Sequence, residues 1–152
     1  MKESSAVSGI LVGIDGSGHS GKALEWAARE AALRNVPLTV LSVCQNVVGY
    51  TGYAYGYVSD EELAAQGLQA AQEQVDKVFC QLDEASRPAS VTVRAVVGLP
   101  ADRLLDAARG ADMIVLGSRG AGGFRKLLLG SVAQQVTQHA HVPVVVIPAE
   151  SA

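Results

Sequence analysis

Cysteine is scarce in this 152-residue chain, which carries only Cys44 and Cys80. Two thiols make neither a disulfide framework nor a metal-ligand set. Both lie in apolar stretches, which predicts buried free thiols in a reducing compartment. An excess of one charge is also missing: 12 Lys and Arg stand against 15 Asp and Glu, a formal net charge of −3. That balance gives no electrostatic reason to expect nucleic acid or an anionic membrane as partner. No apolar run approaches the ~18 residues of a membrane span, and the stretch from Met1 to Gly9 lacks the apolar centre of a secretory signal. A cytoplasmic protein is expected. Aromatic residues are only 5% of the chain, and all four tyrosines fall among the glycines of the stretch from Gly49 to Tyr57.

What is present is aliphatic. Hydrophobic residues make up 49% of the chain, which excludes disorder as the general state. The length suits one domain over residues 1–152, with residues 1–8 and 149–152 as flexible termini. Short apolar runs alternate with helical patterns. Gly9 to Ile14 reads as a first strand ending on Asp15, followed by a helix from His19 or Ser20 to Arg34 with Leu24, Ala27, Ala28 and Ala31 turned inward. Pro37 to Val43 is the second strand. Ser59 and Glu62 have capping-box spacing at the start of the next helix, whose apolar side (Ala64, Leu68, Ala71, Val75, Val78, Phe79, Leu82) runs on toward the stop at Arg87-Pro88. Val91 to Val97 is a third strand, and Pro100 opens a third helix packed through Leu104, Leu105 and Ala108. Asp112 to Leu116 is a fourth strand, Gly130 to about His139 a fourth helix, and Val144 to Ile147 a fifth strand. This alternation predicts a parallel sheet covered on both faces, with several strand orders still open.

The stretch Gly117 to Val132, GSRGAGGFRKLLLGSV, is where chemistry concentrates. Gly117 and Gly120 are separated by two residues, and nine more precede Gly130-Ser131. A strand end, a glycine-rich loop and a helix start make a plausible phosphate cradle. Glycine lets backbone N–H groups approach an anion, and the first helical turn adds unpaired donors at the positive end of its dipole. Arg119, Arg125 and Lys126 bring positive charge to the same loop. The ordinary alternative is a structural loop with a capped helix.

This glycine pattern resembles the ATP-binding signature of the universal stress protein family. The resemblance extends from the first strand, Ile10 to Ser17, to the closing Val142 to Pro148. It implies an open five-stranded parallel α/β sheet of order 3-2-1-4-5 with helices on both faces, Rossmann-like and similar to the adenine nucleotide alpha hydrolase-like fold. In such a sheet the first and fourth strands lie side by side with connections to opposite faces, so that Asp15 and Gly117 face one crevice. The resemblance further implies that Gly117, Gly120, Gly130 and Ser131 contact phosphate and ribose, with Arg119 at the phosphates or in solvent. Leu116 and Val132 would wall the pocket, and Gly13, Ile14 and Val43 would receive adenine. Asp15 matches an acid close to sugar and phosphates; its everyday role at a strand end would be to accept N–H bonds from a turn. ATP with Mg²⁺ or Mn²⁺ is the implied ligand, and a homodimer through Val144–Ile147 the implied assembly.

Two better-known motifs are nearly satisfied by Gly16 to Ala23. Gly16, Gly18 and Gly21 spell G-x-G-x-x-G, but no acid follows the second strand before Asp60, so the NAD reading lacks its ribose contact. Gly16 and Gly21-Lys22 also fit a P-loop until Ala23 replaces the Ser or Thr that would hold Mg²⁺. No His or second carboxylate near Asp15 in sequence completes an acid–base pair, so no catalytic residue is assigned. The function the resemblance implies is a nucleotide-dependent stress-response module that signals to a downstream protein. A slow ATPase or self-phosphorylating enzyme is the alternative, and a non-nucleotide-binding interaction protein of the same fold a further one. The tyrosine stretch reads either as a lid stacking on adenine or as a plain connection. His139 and His141 read as cations near a helix C-terminus rather than ligands.

Overall fold

The computed structural model describes residues 7–16, 18–45, 58–118 and 129–148. The tyrosine-rich stretch and residues 119–128, including Arg119 and Gly120, lie outside the described residues, as does the His19 side chain. Five strands, β1 (Ile10–Ile14), β2 (Leu38–Cys44), β3 (Val91–Val97), β4 (Met113–Gly117) and β5 (Val144–Ile147), form one parallel sheet of order β3-β2-β1-β4-β5. The order implied by the family resemblance is the order observed.

Helices α1 (Gly18–Arg34) and α2 (Asp60–Phe79) cover one face, and α3 (Pro100–Ala107) and α4 (Ser131–His139) the other. The period-two alternation of the strands divides the core accordingly. Ile10, Val12, Leu38, Val40, Met113 and Val115 pack with Leu24, Ala27, Ala28, Ala31, Ala71 and Val75. Leu11, Leu41, Ile114 and Leu116 pack with Ala101, Leu104, Ala107, Ala133 and Val136 on the opposite face. Central strands β1 and β4 are buried on both faces, which is why they read as continuous aliphatic runs.

The helix ends follow their local chemistry. Ser59 accepts the Glu62 N–H while the Glu62 carboxylate accepts the Ser59 N–H, completing the expected capping box of α2. Asn35, at φ 58°, takes the left-handed position that ends α1. Three expectations need correcting. Helix α2 stops at Phe79 rather than near Arg87, and Glu84–Ser86 forms a separate 3-10 turn. There the Gln81 and Leu82 N–H groups bond three residues back, to Val78 and Phe79, and the Arg87 guanidinium binds the Leu82 carbonyl. Tightening to 3-10 geometry keeps Leu82 in the core, so the apolar pattern outlasts the helix. The thiols are also less buried than expected: Cys44 is half-buried and Cys80 exposed at the α2 C-cap. Leu68, assigned to the inner side of α2, is exposed.

Candidate functional site

The site begins where β1 and β4 part. Pairing between them ends at Val12 and Val115, although the strands continue to Ile14 and Gly117. Each remains paired with its outer neighbour over this stretch, Ile14 with Ser42 and Gly117 with Ile147. The sheet therefore splits at its carboxyl edge, at the switch point where β1 leads to α1 on one face and β4 to α4 on the other.

A cleft of about 420 Å³ occupies the split. Gly13, Ile14 and Asp15 line it from β1, Val43 from β2, Leu116 and Gly117 from β4, and Gly130, Ser131 and Val132 from the start of α4. The structure thus brings together every described site residue singled out in the sequence. Gly13 has a packing reason to be glycine. A Cβ there would sit 3.0 Å from both the Leu104 and Leu116 Cδ2 atoms, so its absence lets the apolar floor close.

The start of α4 is pinned by backbone bonds. The Ser118 N–H extends the ladder to the Ile147 carbonyl, and the Ser118 carbonyl accepts the Gly130 N–H. This bond brings Gly130 back beside Ser118, at the end of β4. The Gly130 amide is thereby committed to protein, and the donors offered at the cleft begin at Ser131. The N-cap residue is Gly130, which has no side chain to cap the first-turn amides of Ser131, Val132 and Ala133, all of which line the cleft. The Ser131 hydroxyl accepts from Gln135 Nε2 at 3.3 Å, keeping its own O–H for donation.

Asp15 lines the same cleft from the end of β1 and is exposed. Its backbone N–H donates to Ser20 Oγ at 3.3 Å, and Gln74 Nε2 of α2 donates to the same oxygen at 3.3 Å. Asp15 is the only ionisable side chain among the described lining residues. The N-terminal turns of α1, α3 and α4 all reach this edge, through Ser20, Pro100 and Ser131. Their dipoles place positive potential where a cation is otherwise absent among those residues. Among the described residues, no group of three or more His, Cys, Asp or Glu side chains is arranged to cage a metal.

Sequence reasoning missed Ser20, Leu41, Gln45, Pro100, Leu104, Ser118 and Ala133, all of which line the cleft. Pro100 and Leu104 were accessible in principle. In a doubly wound sheet each helix starts at the carboxyl edge, so the first turn of α3 belongs beside the crevice. Ser118 and Ala133 adjoin residues already chosen. Nothing in the sequence marked Ser20 or Gln45. The two C-terminal histidines sit elsewhere, exposed beside a separate cavity of about 520 Å³ that includes Asp106 and Arg109.

Against known proteins, the model of the universal stress protein family matches residues 8–148. The chain belongs to that family. A universal stress protein of Mycobacterium tuberculosis is 40% identical over 154 residues, covering 93% of this chain and 48% of the relative. The chain spans about half the length of the curated relatives it matches. Among solved structures, a universal stress protein in complex with cAMP has a TM-score of 0.66 at 27% identity, over 94% of this chain and 98% of that one. The universal stress protein of Archaeoglobus fulgidus in complex with dAMP has a TM-score of 0.61 at 26% identity, over 93% and 98% of the two chains. The universal stress protein fold is thus shared over nearly the whole chain, and two of its structural neighbours carry an adenine nucleotide.

Proposed function

We propose that this universal stress protein binds ATP in the split between β1 and β4 and works as a homodimeric, nucleotide-dependent regulatory module of a stress response. One observation carries the reading: the first turn of α4, whose N-cap Gly130 supplies no capping side chain, lines one cleft with Asp15 and the parted ends of β1 and β4. Phosphate groups meet the amides of Ser131 and Val132 and the Ser131 hydroxyl, while Gly117 and Gly130 keep side chains out of the approach. Arg119 and Gly120, between them in sequence, add charge and backbone donors. Adenine lies against Gly13, Ile14 and Val43, where the wall turns apolar through Leu41 and Leu104.

Mg²⁺ or Mn²⁺ accompanies the phosphates. Such an ion fits this donor set as a shared ligand of one carboxylate, phosphate oxygens and water, and Asp15 is the residue that would hold it. The ion would neutralise part of the triphosphate charge. The described lining residues include no histidine, lysine or second carboxylate to activate water, which supports holding ATP over hydrolysing it.

Mass spectrometry of the gently denatured, purified protein tests carriage of ATP directly. Titration calorimetry should then show Gly117→Ala weakening ATP by about tenfold or more, since ~1.4 kcal/mol of steric loss suffices. Asp15→Ala should weaken ATP most when Mg²⁺ is present. Affinities unchanged in both variants would remove the cleft as the binding site. Turnover that exceeds these variants in an ATPase assay would make the protein an enzyme.

A further inference from the structure

Ser20 lines the cleft from the first turn of α1, yet its side chain is turned toward other parts of the protein. It is one of three buried polar residues among those described, at 5% exposure. Two donors from different parts of the chain converge on its hydroxyl oxygen: the Asp15 N–H and the Gln74 carboxamide, each at 3.3 Å. Gln74 does not line the cleft; it stands on α2, with its carboxamide oxygen shielded from solvent. Gly21, next to Ser20 in α1, lies under the same carboxamide, where an added Cβ would meet Gln74 Nε2 at 3.6 Å. A side chain from α2 thus reaches across α1 to the turn that presents Asp15.

We propose that Gln74 and Ser20 act as a positioning pair for Asp15, setting the affinity of the cleft for nucleotide from a helix that does not touch the ligand. The inference rests on the nucleotide-binding reading above. Its physical content is simple. Asp15 sits at the end of β1 and is followed by Gly16 at φ 85°, in the left-handed region. The hydrogen bond to Ser20 is a restraint on the peptide that aims the carboxylate. Gln74 adds a second restraint on the Ser20 hydroxyl, narrowing its choice among staggered positions. Losing either bond lets the Asp15 turn sample other orientations, and binding must then restore order at a cost in affinity.

The test uses Gln74→Met, Ser20→Ala, the double variant, and Gln72→Met as a control on an exposed position of the same helix. ATP with Mg²⁺ is titrated by calorimetry, and the Asp15 amide is followed by ¹⁵N–¹H correlation spectra without nucleotide. Gln74→Met and Ser20→Ala should each weaken ATP by about three- to tenfold, the size of one net hydrogen bond. Each should shift the Asp15 amide resonance, and the double variant should lose no more than Ser20→Ala alone. Gln72→Met should change neither readout. Wild-type affinity in Gln74→Met overturns the pairing, as do losses that multiply in the double variant or an unmoved Asp15 amide. If Ser20→Ala fails to fold, Gln74→Met against Gln72→Met decides alone. A wild type that binds no ATP removes the proposed function and this role together; wild-type binding with unchanged variants removes only the role.

Discussion

Two glycines with positive φ separate strain from collision. Gly9 (φ 79°) and Gly16 (φ 85°) flank β1 at its two ends. A Cβ at Gly16 would meet nothing within 4 Å, so Gly16→Ala carries only the left-handed penalty, ~1–2 kcal/mol. A Cβ at Gly9 would strike the Pro37 carbonyl oxygen, which is itself the acceptor of the Ile10 N–H. The Gly9 carbonyl also accepts the Asp112 N–H, so this peptide ties together the starts of β1, β2 and β4. Neither backbone group can yield without breaking a strand entrance. Gly9→Ala should therefore cost at least ~2 kcal/mol more than Gly16→Ala, by urea unfolding with equal m-values. Equal losses would mean that the Pro37 contact relaxes at no expense. These distinctions were invisible in the sequence. Gly9 looked like an ordinary strand boundary, and Gly16 was prominent only because it began two motifs that the rest of the chain fails to complete.

At the scale of elements, the packing of α2 on β2 turns on one missing methyl. Gly67 sits in the interior of α2, where glycine costs ~1 kcal/mol relative to alanine. The compensation is proximity: a Cβ at Gly67 would collide with Cys44 Sγ, while the next neighbour, Ala95 Cβ, is at a comfortable 3.5 Å. The two positions should therefore be coupled. Gly67→Ala alone should destabilise, because half-buried Cys44 must move aside or α2 must lift from the sheet. In a Cys44→Ala background the same substitution should stabilise by ~0.5–1 kcal/mol, as helix propensity is released from the clash. Losses of similar size in both backgrounds would sink the account. The strands and α-helices were legible in existence and type: the capping box at Ser59, Pro100 at the first turn of α3, and the full spans of β3 and β5 stand where local chemistry placed them. The end of α2 was not legible, since Val75, Val78 and Leu82 keep a helical interval through a segment whose bonds have tightened.

At the scale of the molecule, hydrophobic periodicity could establish a parallel sheet but not its order, because right-handed crossovers permit several arrangements of five strands. The glycine interval and its family resemblance supplied that order, and with it the meeting of Asp15 and Gly117. What no pattern displayed is that β1 and β4 separate before they end, which creates the cleft. The order also leaves β5 at an edge, and the homodimer proposed through it makes a prediction specific to single backbone groups. The Ile114 and Ser118 N–H groups bond the Pro143 and Ile147 carbonyls. With Val115 beside Val145 in register, residues 143, 145 and 147 turn their backbone groups toward β4, and those of Val144 and Val146 point to the open edge. Proline at the two kinds of position should act differently. Val145→Pro removes a ladder bond inside the sheet and should lower the unfolding free energy. Val146→Pro removes only an outward N–H, so it should leave the fold largely intact while abolishing edge-to-edge pairing. Sedimentation at micromolar concentration should therefore find the wild type dimeric and Val146→Pro monomeric, with similar far-ultraviolet circular dichroism. A monomeric wild type overturns the dimer, and a Val146→Pro dimer of wild-type affinity moves the interface off this strand, because no other outward donor of β5 lies between Pro143 and Pro148 except that of Val144.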